Sequence, residues 1–178
     1  NSEFSLDEVS SFSSWNETNG PNINGACLGC ATRGAEMLTG GDGGFNNSSG
    51  NMNLNGKNLF DLGENLQSGG FSQEIPTQRG QETQSIMNAS GNTNGNYTGF
   101  LAGPGGAQHS IIVLYNSDNV QFSIYDQGTP WDIKLEDQSS TQSILNYFNY
   151  DYNGDKGPSR LFQLYKLEKQ EVKYPLTK

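Results

Sequence analysis

The chain has 178 residues, enough for one domain with a real core or two small lobes sharing an interface. Only 32% of residues are apolar, and 23 Gly with 21 Asn make up about a quarter of the sequence, so core segments are few and much of the chain is turn, loop and solvated surface. A net charge of −9 with no basic patch disfavours nucleic acid and anionic lipid as partners, and no apolar run reaches membrane-spanning length, so no membrane anchor is expected.

Ser5-Leu-Asp-Glu8 has the spacing of a capping box, and Leu6, Val9, Phe12 and Trp15 follow at three-residue intervals, which predicts a short amphipathic helix. Asn16 to Gly25 is polar and breaker-rich and reads as a loop. Cys30 to Leu38 reads as a helix stopped by Thr39-Gly-Gly-Asp-Gly-Gly44, and the 40–70 stretch, dominated by Gly, Asn and Ser, reads as an insertion or flap with at most a short helix near 57–67. A helix is expected within Ile75–Ala89 with Pro76 at its start, and a strand from Tyr97 to Ala102.

His109-Ser-Ile-Ile-Val-Leu-Tyr115 and Val120-Gln-Phe-Ser-Ile-Tyr125 are apolar runs separated by the polar turn Asn116-Ser-Asp-Asn119, an antiparallel hairpin pattern. Such a hairpin sets the start of the first strand beside the end of the second, so His109, the single histidine of the chain, becomes a neighbour of Asp126. Beyond it, Asp132 to Leu135 follows a Gly-Thr-Pro-Trp turn, Ser140 to Tyr150 carries Ile144, Leu145, Tyr147 and Phe148 at helical spacing, and Arg160 to Leu167 reads as a closing strand. Helices and loops first and a β-rich half after them give an α+β chain, read as a single domain over 1–178 with an N-terminal helix and loop over 1–21.

The two cysteines, Cys27 and Cys30, lie in Gly25-Ala-Cys-Leu-Gly-Cys30. A zinc site needs two more ligands, a disulfide would close a tiny loop, and a redox motif expects a βαβ context, which leaves one reactive thiol and one bystander. With a helix starting at Cys30, that thiol feels the unpaired N–H groups and positive end of the helix dipole, while Cys27 packs beneath the loop. Cys30, His109 and Asp126 then form a nucleophile, a base and its orienter, against the blander reading of two buried small hydrophobes, a satisfied histidine and a strand-ending aspartate. Trp131, five residues past Asp126, is placed to wall a substrate cleft with Gln127, or equally to serve as a core aromatic.

Asn24-Gly-Ala-Cys-Leu-Gly-Cys30-Ala is similar to the papain-type stretch in which an amide side chain lies six residues before the catalytic cysteine and a second cysteine three before it. With the helix from Cys30, His109 on a strand and Asp126-Gln127 after the next, the chain resembles the papain-fold toxin and protein-glutaminase branch. The resemblance implies a papain-like fold with the nucleophile helix packed on a C-terminal antiparallel sheet and an oxyanion hole from the Asn24 carboxamide and the Cys30 N–H; no cofactor or metal is expected. It further implies deamidation of protein glutamine by a toxin domain at the C-terminal end of a larger secreted bacterial protein, with a protein or peptide substrate and an immunity protein in the producing cell. Ala31 stands where papain-type proteases carry an aromatic, and Asp126 where they usually carry Asn, which counts against an ordinary endopeptidase. Peptidoglycan amidases or peptidases, transglutaminase-like enzymes and a catalytically silent binding module are the alternatives.

Overall fold

The computed structural model describes residues 3–19, 26–40, 59–104, 109–150 and 162–169. In chain order the elements are β1 (Glu3–Phe4), α1 (Leu6–Asn19), α2 (Ala26–Thr39), α3 (Leu59–Ser68), β2 (Ser72–Glu74), α4 (Glu82–Ser90), β3 (Tyr97–Gly103), β4 (Ile111–Asn116), β5 (Gln121–Tyr125), β6 (Trp131–Lys134), α5 (Gln138–Phe148) and β7 (Gln163–Leu167). The strands form one open antiparallel sheet in the order β2-β7-β3-β4-β5-β6, with β1 paired to the start of β3. The α+β class holds, although β1 and β2 come from the half of the chain read as helix and loop.

Strand alternation distributes the core over both faces. Ile112 and Leu114 of β4 join Phe12 of α1, Ala31, Ala35 and Leu38 of α2 and Leu66 of α3, whereas Ile111, Val113 and Tyr115 join Ile86 of α4 and Ile144 and Phe148 of α5. The sheet is thus covered by α1–α3 on one side and by α4 and α5 on the other, which explains why β4 is buried along its whole length and reads as a continuous apolar run. At Gly34 an added Cβ would lie 2.9 Å from Phe12 Cε1 and 3.4 Å from Ile112 Cγ1, so this glycine lets α2 approach α1 and β4 closely.

Several expected boundaries move, each for a local reason. The Ser5–Glu8 capping box forms, with Ser5 Oγ accepting from the Glu8 N–H at 3.2 Å and Glu8 Oε1 from the Ser5 N–H at 3.1 Å. The helix it opens continues to Asn19, and its buried face is Val9, Phe12 and Asn16 while Leu6 is exposed. Three-residue steps rotate by about 60° short of a full turn on a 3.6-residue helix, so a stripe at 6, 9, 12 and 15 cannot all face one way. The helix expected within 75–89 starts only at Glu82. Ile75 instead donates its N–H to Leu164 O at 2.9 Å beside the sheet, and Gly80, at φ +87°, donates its own N–H to the Glu82 carboxylate at 2.6 Å. Of the expected 40–70 flap, 41–58 lies outside the described residues. From 59 onward the short helix expected near 57–67 forms as α3, which buries Leu66 in the core, and Gly63 lies so close to the Tyr165 ring that a Cβ would fall 2.3 Å from it.

Candidate active site

The hairpin positions the first two groups. β4 and β5 pair with Ile112 opposite Tyr125, so Asp126 emerges just beyond the ladder, and His109 precedes the first β4 residue by two. Freed from strand pairing, the two side chains meet: His109 Nε2 is 2.7 Å from Asp126 Oδ1. The oxygen lies off the line of the ring N–H, so the contact is best described as a close ion pair. The second oxygen of Asp126, Oδ2, accepts a hydrogen bond from the Tyr147 hydroxyl of α5 at 2.7 Å.

The thiol beside the histidine belongs to Cys27. Helix α2 begins at Ala26, four residues before the expected start, which puts Cys27 in its first turn and Cys30 a full turn inside. Cys27 is half-buried and close enough to His109 for the imidazole to act on its thiol. Cys30, expected as the nucleophile, is instead buried at 3% exposure and points its Sγ to Asn16 Oδ1 at 3.7 Å. The stripe Ala31, Ala35, Leu38 that packs α2 onto the sheet, extended back one turn, leads to Cys27, a signal already present in the sequence.

The electrostatics separate the two thiols. Burial alone would raise Cys27, but the hydrogen bond and positive charge of His109, with the Ser110 and Leu28 backbone N–H groups, outweigh it and hold the thiol below its ordinary value. Burial, together with the negative charges of Asp126 and Cys27, pushes Cys30 up to about 12. His109 is disfavoured as a cation by burial, yet its bonds to Asp126 and Cys27 prevail and raise it to about 9. Burial would likewise raise Asp126, and His109 and Tyr147 together bring it below the usual carboxyl value. A lowered thiol beside a raised imidazole favours the thiolate–imidazolium form, the pairing that nucleophilic thiol chemistry requires.

The loop after Asp126 is anchored to α1. Gln127 is left-handed at φ 55° and Gly128 has φ 142°, which turns the Gly128 carbonyl inward to accept from the buried Asn16 Nδ2 at 2.6 Å. Asn16, read as the first residue of a loop, therefore ties α1 to Cys30 on one side and to the Asp126 loop on the other. Trp131 is 39% exposed on edge strand β6 and packs its ring on Tyr147, with centroids 5.6 Å apart, which puts it beside the Asp126 end of the site. Asn24 lies outside the described residues. Among the described residues no three His, Cys, Asp or Glu side chains form a metal-binding group, and no helix is long and apolar enough to cross a membrane.

No family model, curated protein or solved structure matches the chain. The site therefore stands on its own geometry.

Because His109 is what brings Cys27 below its ordinary value of 9, the rate of Cys27 alkylation by iodoacetamide is expected to inflect below pH 9. In His109→Ala burial is left unopposed by the imidazolium, so the inflection moves upward. Peptide mapping of the labelled protein against pH checks both directions. An unchanged inflection in the variant would show that the histidine does not govern the thiol.

Proposed function

We propose that the protein is a cysteine-dependent hydrolase of carboxamides in which Cys27 is the nucleophile, His109 the proton carrier and Asp126 the residue that orients and charges the imidazole. The observation that carries this reading is the 2.7 Å ion pair of His109 Nε2 with Asp126 Oδ1 beside a thiol, Cys27, that lies near enough for the imidazole to lower it. Thiolate Cys27 attacks the carboxamide carbon, and the imidazolium of His109 gives its proton to the departing nitrogen, leaving a thioester. Neutral His109 then takes a proton from water as that water attacks the thioester, and the carboxylic acid departs as the thiolate and imidazolium are restored.

The papain-like arrangement is proposed on the same ground, a cysteine in the first turn of a helix packed against an antiparallel sheet that supplies the histidine and the acid. The residue following the thiol is now Leu28, again without the aromatic of papain-type proteases, and Asn24 stands three rather than six residues upstream, so its oxyanion role loses the spacing that suggested it. Glutamine deamidation by a delivered toxin domain with an immunity partner is proposed from the resemblance of the Cys, His and Asp order. Intact-mass analysis of candidate substrate proteins tests the reaction: a gain of about 1 Da per site with ammonia release is the expected result of exchanging an amide nitrogen for a water oxygen through an acyl-enzyme. Fragments would reassign the protein as a peptidase, and unchanged substrates together with an inert Cys27 would leave it a binding module.

A further inference from the structure

Asp126 lies on an exposed loop, with 37% of its side chain open to solvent, and follows a strand that ends one residue earlier. A carboxylate so placed turns freely about its last bond unless both oxygens are engaged, and a turn of that kind breaks the 2.7 Å contact to His109 Nε2. The second oxygen is engaged by the Tyr147 hydroxyl at 2.7 Å. Tyr147 is itself held from several directions. Its helix is fixed at the N-terminus by a capping box between Asp137 and Ser140, its ring packs on Trp131 at 5.6 Å and 60°, and it meets Phe148 edge-on at 6.0 Å.

We infer that Tyr147 is a positioning residue that locks the Asp126 carboxylate toward His109, with Trp131 bracing the tyrosine ring. The inference rests on the cysteine-hydrolase reading and adds a fourth member to its relay. Tyr147→Phe keeps the ring and its contacts with Trp131 and Phe148 and removes only the hydroxyl. Two consequences then oppose each other. Losing a hydrogen-bond donor makes Asp126 more basic and strengthens its pull on the imidazole, while losing the anchor lets the carboxylate swing away. The second prevails, because water reaches this half-open carboxylate and replaces the hydroxyl as a donor without restoring its direction.

The test measures the second-order rate of Cys27 alkylation by iodoacetamide at neutral pH in the intact chain. Tyr147→Phe is expected to slow it roughly 10- to 150-fold, the range set by one hydrogen bond to a charged group, and to shift the pH inflection upward with the melting temperature nearly unchanged. In an Asp126→Ala background, where the hydroxyl has no carboxylate to hold, the same substitution is expected to add nothing. Wild-type reactivity in Tyr147→Phe, or an equal further loss in the Asp126→Ala background, would overturn the inference. His109→Ala separates the two levels: if it leaves the alkylation rate unchanged, the hydrolase reading fails, whereas a slow His109→Ala beside an unaffected Tyr147→Phe removes Tyr147 alone.

Discussion

Cys27→Ala is expected to abolish turnover, with a loss of at least about 1,000-fold, while Cys30→Ala retains most of it. The contrast follows from position along one helix. Cys27 is half-buried at the first turn and lowered by the neighbouring His109, and Cys30 is buried one turn on with a thiol pushed up to about 12. At any given pH the first therefore holds more thiolate than the second. Cys30→Ala removes a weak contact to Asn16 Oδ1 and a little packing, at a cost of about 1 kcal/mol in stability. His109→Ala is expected to match Cys27→Ala, and the double variant to lose little beyond either, since the groups act as one unit. Turnover by each variant on a substrate found by intact mass decides the matter. Activity that survives Cys27→Ala and disappears in Cys30→Ala would return the nucleophile to Cys30 and invert the site.

The largest effect on stability is expected at Phe12. Its ring is fully buried, meets Tyr125 edge-on with centroids 4.8 Å apart, stacks on Trp15 at 6.3 Å and fills the space over Gly34. It joins α1, α2 and β5, the elements that carry Asn16, Cys27 and the approach to Asp126. Phe12→Ala is expected to cost about 3–5 kcal/mol, because the lost transfer energy is compounded by a cavity that three rigid elements cannot close. Leu6→Ala on the same helix, at 60% exposure, should stay within about 0.5 kcal/mol. Equilibrium unfolding in urea measures both, and a Phe12→Ala cost below about 1 kcal/mol would mean that the three elements are not clamped there.

Residues read in sequence reached the hairpin and stopped short of the thiol. The pairing of β4 with β5, and with it the meeting of His109 and Asp126, was legible because two apolar runs separated by a four-residue polar turn leave few other ways to fold. Asn116 reinforces the turn by accepting the Asp118 N–H at 2.8 Å, and Val120 moves out of the strand into a left-handed position at φ 48°. The start of α2 was not legible in that way. A breaker-rich stretch ending at Gly25 and a helix read only from Cys30 left Cys27 outside it, whereas packing of Ala31, Ala35 and Leu38 against the sheet carries the helix back through Gly29 at a cost of about 1 kcal/mol. Tyr147 and Asn16 were out of reach for a different reason. Their partners, Asp126 and Gly128, lie on a loop brought to them by tertiary docking, and the Asn16 bond spans 112 residues. Local pattern holds no trace of a bond of that kind.

The placement of Cys27 and His109 at opposite ends of a long stretch of chain bears on the life of the protein before it is folded. Helix α2 emerges from synthesis well ahead of β4, and until β3, β4 and β5 have zipped together there is no imidazolium beside the thiol. During that interval Cys27 has the chemistry of any other cysteine, and the shift that distinguishes it waits on long-range pairings of the sheet. Unfolding takes the imidazole away again. The two thiols then converge on one ordinary reactivity, Cys27 losing its advantage and the hidden Cys30 gaining access, so the ratio of their labelling is a built-in gauge of whether the sheet is closed.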